Sequence, residues 1–158
     1  MSFEDAVRAH ADELFRYAYW LARDRARAED VVQEALLRGW RAFPRLRDAA
    51  ATRAWLFSIV RNEYRRAAGA AAREESLDGV DLPDERTDPG GLEMRDALRA
   101  LPAAYGEPLA LQVLGGFSGA EIADLLGLTE GAVMTRLTRA RQALRRLVAP
   151  RARAGGRP

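Results

Sequence analysis

Residues 121–137 read EIADLLGLTEGAVMTRL, a pattern that predicts a short helix, a three-residue turn and a longer helix. Ala123 is small where the two helices cross closely, and Gly127 permits the left-handed backbone that the turn requires. Val133 packs the second helix back on the first. This spacing is typical of a helix-turn-helix, whose second helix enters the major groove of DNA with its N-terminal residues near base edges.

The ends of these helices carry their own sequence signals. Ser118 and Glu121 have the spacing of a capping box, in which each side chain bonds to the backbone N–H of the other. Thr129 is the predicted cap of the longer helix, which we expect to run to about Val148. Upstream, a helix is predicted over about 103–114, ending at the two glycines that follow.

The longer helix and the tail after it are strongly basic. Residues 131–158 contain eight Arg and no acidic residue. Such a stripe is an electrostatic footprint for phosphate, and the other interpretation is a solvated helix face on an arginine-rich protein. A helical hairpin that binds protein is a further alternative. We favour DNA because the capping box, the small residue, the turn glycine and the arginines coincide.

The composition excludes several classes of protein. The chain has 158 residues, 25 Arg, no Lys, one His and no Cys. Without cysteine, neither a disulfide scaffold nor a thiolate zinc site can form, and a single histidine argues against a Ser-His-Asp triad. No apolar run approaches the ~18 residues of a membrane span, and the N-terminus lacks a signal-peptide pattern, so we expect a soluble, cytoplasmic protein.

An acidic stretch divides the chain into two units. Residues 68–91 contain two Arg and seven acidic residues with Gly and Pro, which is typical of a flexible linker. It separates a unit at 1–67 from a second at 92–150, which a polar tail at 151–158 follows. Both units have helical periodicity, so the predicted fold is all-α, with two small helical domains joined by the linker.

Three helices are predicted in the first unit. The first has apolar residues at 4-3-4-3 spacing from Val7 to Leu21. The second runs over about 28–43 and ends at Pro44. Residues 44–52 are predicted to form a loop, and a third helix spans roughly 53–67. The predicted buried face of the second helix is Val32, Ala35, Leu36, Gly39 and Phe43.

With these elements in place, the chain resembles a bacterial RNA polymerase sigma factor of the extracytoplasmic-function (group IV) class over about residues 5–148. The segment AEDVVQEALLRGWRAF (28–43) is similar to the polymerase-binding helix of sigma region two. The segment RAWLFSIVRNEYRR (53–66) is similar to the promoter-melting helix. Residues 101–147, which contain the helix-turn-helix, are similar to sigma region four.

The resemblance implies three sets of contact residues. The residues implied in polymerase binding are Asp30, Gln33, Glu34, Leu37, Arg38 and Arg41. Those implied in binding the downstream (−10) element as a single strand are Arg45, Arg47, Arg53, Trp55, Arg61, Asn62, Arg65 and Arg66. Those implied in binding the upstream (−35) duplex are Gln112, Thr129, Met134, Thr135, Arg136, Thr138, Arg139 and Arg141.

Some of these side chains suggest particular roles. Leu37 is apolar among polar neighbours, as a partner anchor would be, although a lone surface leucine is also ordinary. The amide of Asn62 can address both donor and acceptor edges of a base. For Trp55, packing in the core is favoured over stacking on a base.

Several positions depart from the family's pattern, among them Gln112, which stands where relatives often have a basic residue. Met134 stands where the family usually has a basic residue, and Thr138 stands where a bulkier one is common. Both can meet thymine methyl groups, so we expect an upstream preference different from the common one. Gly106 lies inside a predicted helix, where glycine costs roughly 1 kcal/mol, and the sequence pattern offers no reason for it.

The implied partners are core RNA polymerase, through its clamp coiled coil and its flap, promoter DNA and an anti-sigma factor. The resemblance implies neither catalysis nor a cofactor. A stand-alone helix-turn-helix regulator is one alternative, and residues 28–66 argue against it because they match polymerase- and strand-binding helices. A sigma-mimicking interaction protein is another, which the acid-free, arginine-rich C-terminus disfavours.

Overall fold

The computed structural model describes residues 2–43, 49–69 and 90–150, and within these ranges the chain forms helices and no strands. The all-α prediction is therefore confirmed. None of the helices in this part of the chain is both long and apolar enough to cross a membrane. The helices are α1 (Phe3–Ala22), α2 (Arg25–Ala42), α3 (Ala49–Ala68), α4 (Met94–Ala100), α5 (Ala103–Gly115), α6 (Gly119–Leu126) and α7 (Glu130–Val148).

Side-chain caps define the first two helices. Ser2 and Asp5 form a capping box at the start of α1, and the Ser2 hydrogen bonds lower the pKa of the Asp5 carboxyl. Arg23 ends α1 in the left-handed conformation at φ 56°, and its N–H donates to the Tyr19 carbonyl at 2.8 Å. Asp24 then caps α2 by accepting from the Arg27 N–H at 2.9 Å. Two helices thus follow each other with a minimal turn between them.

The third helix is longer at both ends than the sequence pattern predicts. The expected loop over 44–52 is wrong for residues 49–52, because α3 begins at Ala49; residues 44–48 lie outside the described ranges. The three alanines at 49–51 have the highest helix propensity of any residue type, which accounts for the early start. At its other end α3 continues to Ala68, the first residue assigned to the linker.

The helix-turn-helix has the predicted geometry. The Ser118 hydroxyl accepts from the Glu121 N–H at 3.2 Å, and the Glu121 carboxylate accepts from the Ser118 N–H at 2.9 Å. Gly127 ends α6 in the left-handed conformation at φ 67°. Thr129 caps α7 by accepting from the Ala132 N–H at 3.1 Å. The predicted caps and turn are confirmed.

The two predicted units pack against each other over one continuous core. Within the second unit, the Leu92 N–H donates to the Leu147 carbonyl at 2.9 Å, which ties the start of the unit to the end of α7. Between the units, the rings of Phe57 and Phe117 meet edge to face with centroids 4.9 Å apart. Tyr17 is fully buried although the 4-3-4-3 pattern of α1 does not include it.

Gly106 has its explanation at the contact between α1 and α5. A Cβ atom at this position would lie 2.7 Å from Cζ2 and 3.3 Å from Cη2 of Trp20, a side chain that is 8% exposed. The indole therefore lies directly against the α5 backbone. Glycine is required here by the packing of the two units, which outweighs its low helix propensity.

We expect Gly106→Ala to lower the free energy of unfolding by roughly 1 kcal/mol. Overpacking costs about 1–3 kcal/mol and exceeds the gain in helix propensity of about 1 kcal/mol. Urea unfolding measures the change. Gly131→Ala in α7 is the matched control because a Cβ atom added there would have nothing within 4 Å, so it should stabilise the protein. Equal stabilisation by both substitutions would contradict the packing explanation.

Candidate nucleic-acid interface

Helix α7 separates an apolar inner face from an exposed outer face. Val133 and Leu137 are fully buried against the rest of the second unit. Between and beyond them, the outward positions near the start of the helix are exposed, as a recognition helix requires. The exposed residues of the predicted −35 set on this helix are Met134, Thr135, Thr138 and Arg139.

Several members of the predicted −35 set already have partners in this structure. Thr129 is the α7 cap, and the Thr138 hydroxyl donates to the Met134 carbonyl at 2.9 Å. Thr138 thus offers its methyl group outward rather than a free hydroxyl donor. The Arg141 guanidinium donates to the Gln112 side-chain oxygen, so these two predicted contacts orient each other across α5 and α7.

The outer face of α2 presents a row of exposed side chains. Leu37 is 48% exposed, and Trp40, which sequence reasoning missed, is 60% exposed. Their i, i+3 spacing places both on one side of α2 and is the signal that could have found Trp40. The face therefore carries an apolar centre rather than a lone leucine. The whole predicted polymerase set is exposed around it: Asp30, Gln33, Glu34, Leu37, Arg38 and Arg41.

Side chains of α1 and α3 contact Trp40 and Arg38 of this face. The Phe3 ring meets Trp40 edge to face, with centroids 5.7 Å apart. Arg38 Nε lies 2.7 Å from the Glu63 carboxylate on α3, and Arg66 lies 3.6 Å from the same oxygen. Glu63 is buried, so this pair joins α2 to α3 and fixes the edge of the exposed face.

The predicted −10 set divides into three groups. Arg45 and Arg47 lie outside the described residues. Asn62 and Arg66 are exposed on α3. The others are partly buried where α3 meets the second unit: Arg53, Trp55, Arg61 and Arg65.

The partly buried group contacts both units. Trp55 packs against Phe43, with ring centroids 6.0 Å apart, as the core interpretation predicts. Arg53 pairs with Glu13 at 2.9 Å, and its guanidinium lies 4.4 Å from the centroid of the Phe117 ring. In this arrangement the second unit covers part of the surface predicted to bind the single strand.

One acidic side chain of the second unit reaches two residues of the first. Tyr17 donates to Glu107 Oε1 at 3.0 Å, and Arg61 Nε lies 2.6 Å from the same oxygen. Burial, followed by the neighbouring Glu107 charge, raises the pKa of Tyr17 well above its usual value near 10. Because Tyr17 stays protonated at neutral pH, it remains a donor to Glu107.

A cleft of about 530 Å³ lies beside this contact, between the two units. Trp20 and Arg65 line it from the first unit, and Arg99 and Glu107 from the second. Among the described residues, no group of three or more His, Asp or Glu side chains could hold a metal ion. The arrangement offers cationic and hydrogen-bonding groups for binding.

Comparison with protein families divides the chain in the same way. The family model Sigma-70 region 2 matches residues 6–74, and Sigma-70, region 4 matches residues 91–144. The ECF RNA polymerase sigma factor SigL of Mycobacterium tuberculosis is 40% identical over 146 residues, which cover 86% of this chain and 82% of SigL. The ECF RNA polymerase sigma factor EcfG of Rhodopseudomonas palustris is 33% identical over 154 residues, covering 93% and 85%.

Solved structures agree with this assignment. The sigma factor RpoE, in complex with the anti-sigma factor NepR from Bartonella quintana, has a TM-score of 0.72 and 29% identity, covering 92% of this chain and 95% of RpoE. CnrH, in complex with the cytosolic domain of CnrY, has a TM-score of 0.65 and 29% identity, covering 90% and 84%. The first unit is sigma region two and the second is sigma region four. The chain belongs to the ECF RNA polymerase sigma factors, which bind core RNA polymerase and direct it to specific promoters.

Proposed function

We propose that this sigma factor recognises promoters in two parts, with α7 in the major groove of the −35 duplex and α3 on the unpaired −10 strand. The observation that carries this proposal is the division of α7 into a buried inner face and an exposed outer face. Each unit alone would bind DNA weakly. Mounted on polymerase at a fixed spacing, each raises the effective concentration of the other.

At the upstream element, Arg139 is the proposed base-reading cation. It is exposed on the outer face of α7, and an arginine can form two hydrogen bonds with guanine. Met134 and the Thr138 methyl group offer apolar contact to thymine. The Gln112–Arg141 hydrogen bond holds a second polar pair beside them, at the edge where the phosphate backbone would pass.

At the downstream element, Asn62 is the proposed base-reading residue. It is exposed on α3, where its amide can face a base that has left the stack. Arg61, Arg65 and Arg66 lie on the same helix and are proposed to neutralise the phosphates of the strand. The chain supplies binding and orientation, and nucleotide addition belongs to the polymerase.

We assign the exposed α2 face to the clamp coiled coil of core polymerase, with Leu37 and Trp40 as its apolar centre. Interface energy concentrates in central aromatic and apolar anchors surrounded by polar residues, which is the arrangement seen here. The proposed contact of region four is the polymerase flap. The same exposed surfaces would serve a cognate anti-sigma factor, and the complex of RpoE with the anti-sigma factor NepR supports a partner of that class.

Reconstitution tests the whole proposal. The purified chain is mixed with bacterial core RNA polymerase, and co-elution is followed by transcription from fragmented GC-rich genomic DNA. Start-site-specific transcripts are the expected result. Co-elution without transcripts from any template would favour a sigma mimic, and specific duplex binding without polymerase association would favour a stand-alone regulator.

The double substitution Leu37→Ala and Trp40→Ala should weaken binding to core polymerase roughly tenfold or more, because it removes the apolar centre of the α2 face. Fluorescence anisotropy of the labelled chain measures the affinity. Met94→Ala is the control, since Met94 is 53% exposed but lies on region four. An equal loss of polymerase affinity in both variants would contradict the assignment of the α2 face to polymerase binding.

Asn62→Ala should impair promoter opening on duplex templates and leave polymerase binding intact. Permanganate reactivity of unpaired thymines reports the open complex. On a template already unpaired at the −10 element the defect should shrink if Asn62 helps to capture the base during opening. Undiminished open-complex formation on the duplex would refute this role.

Arg139→Ala should weaken binding to the preferred −35 sequence by about 1–3 kcal/mol more than binding to unrelated duplexes. Competition with duplexes of both kinds measures the difference. Arg145→Ala is the comparison, because Arg145 lies further along α7 and is proposed to contact phosphate. If Arg139→Ala lowers affinity equally for every sequence, Arg139 is a phosphate contact as well.

A further inference from the structure

Glu107 of region four contacts the −10 surface of region two through a single oxygen atom. The −10 surface comprises the α3 residues proposed to bind the single strand. Glu107 Oε1 accepts from the Tyr17 hydroxyl at 3.0 Å and lies 2.6 Å from Arg61 Nε. The Arg61 and Glu107 side chains are 17% and 14% exposed. Tyr17 and Arg61 belong to region two, so the carboxylate joins the two units at a partly desolvated position.

The contacts around this ion pair shape the interface. Trp20 lies against Gly106, and Phe57 meets Phe117 edge to face. The Arg53 guanidinium lies over the Phe117 ring, and the Arg99 guanidinium lies 5.2 Å from the centroid of the Tyr19 ring. An arginine of each unit thus lies over an aromatic ring of the other unit. These contacts orient the two units without burying further acidic side chains.

The arrangement in which region four covers part of α3 is called the closed arrangement. Two of its features are energetically unfavourable. Trp20 Nε1 is buried and has no hydrogen-bond partner among the described residues. A buried, unpaired donor loses its hydration without compensation, and a desolvated ion pair loses much of its Coulomb gain to desolvation. The closed arrangement therefore depends on Glu107 keeping both of its donors, and removing this one carboxylate should favour separation of the units.

We propose that Glu107 is an internal substitute for a DNA phosphate, which holds the −10 surface closed until a nucleic-acid strand replaces it on Arg61. Guanidinium binds carboxylate and phosphate oxygens with the same hydrogen-bond geometry, so the two anions compete for one site. This inference rests on the proposed role of α3 in binding the −10 strand. It adds an intramolecular competitor to that role.

The closed arrangement affects the two DNA surfaces unequally. Arg61 is occupied, and Trp55, Glu121 and Asp124 line one shallow pocket where α3 meets α6. On α7, by contrast, Thr135 and Arg139 remain exposed. Apparent affinity falls with the fraction of molecules in the competent state. Closure therefore lowers single-strand affinity and leaves the upstream surface available, so capture of the strand follows opening of the units.

The test uses the full chain in two readouts. Because the chain has no cysteine, Ala26→Cys and Gln142→Cys at exposed positions of α2 and α7 accept a donor and acceptor dye pair. Energy transfer between the dyes reports the separation of the units without DNA. Anisotropy of a short fluorescein-labelled oligothymidylate, measured on the chain without dyes, reports single-strand affinity, since phosphate contacts do not depend on base sequence.

Glu107→Gln keeps the shape of the side chain and removes its charge. We expect lower energy transfer and a single-strand affinity about fivefold higher or more, the range of a coupling between two sites. Glu93→Gln is the matched control because it makes the same charge change at an exposed position of region four with no capping hydrogen bond. Tyr17→Phe, which removes one donor from Glu107, should shift both readouts in the same direction by less.

Arg61→Gln separates competition from simple opening. It should lower energy transfer like Glu107→Gln but should not raise single-strand affinity, because the phosphate site itself is lost. Unchanged energy transfer in Glu107→Gln would overturn the closed contact. The competition would be overturned if Glu107→Gln opens the units but binds the single strand no more tightly than Glu93→Gln does. It would also be overturned if Arg61→Gln binds the single strand more tightly than the wild-type chain. The proposed function is tested separately, by promoter-specific transcription with the wild-type chain and core polymerase, and none of these results decides that test.

Discussion

The close approach of α5 to α1 is the constraint on which the arrangement of this protein depends. Gly106 lets the Trp20 indole lie against the α5 backbone, and one residue later Glu107 meets the Tyr17 hydroxyl and the Arg61 guanidinium. Protein interiors are packed closely enough that a single methyl group at such a point must displace its neighbours. One turn of one helix therefore determines how region four sits on region two.

That placement gives the surfaces of the protein different availability. The outer faces of α2 and α7 are exposed in the closed arrangement, whereas Arg53 and Arg61 on α3 are partly buried. In the proposed competition, the Glu107 carboxylate is the contact that another anion can replace, whereas the apolar contacts of Trp20 with Gly106 and of Phe57 with Phe117 orient the units.

Local order within each unit does not depend on this interface. The capping boxes at Ser2 and Ser118, the left-handed turn at Gly127 and the Thr129 cap are all formed by residues no more than a few positions apart. Successive helices within each unit also contact one another. The proposed opening of the interface would leave these local contacts in place, which is the requirement for a reversible change in arrangement.

The amino-acid sequence was enough to predict the helices, their caps, the helix-turn-helix and the family, since periodicity and capping act over three or four residues. It underestimated α3 at its start, where Ala49 and the alanines after it extend the helix. Packing between distant helices accounts for the burial of Tyr17 and Trp20, the requirement for glycine at 106 and the pairing of Arg61. These contacts join residues up to 90 positions apart, and no local pattern records which distant side chain will cover a helix face.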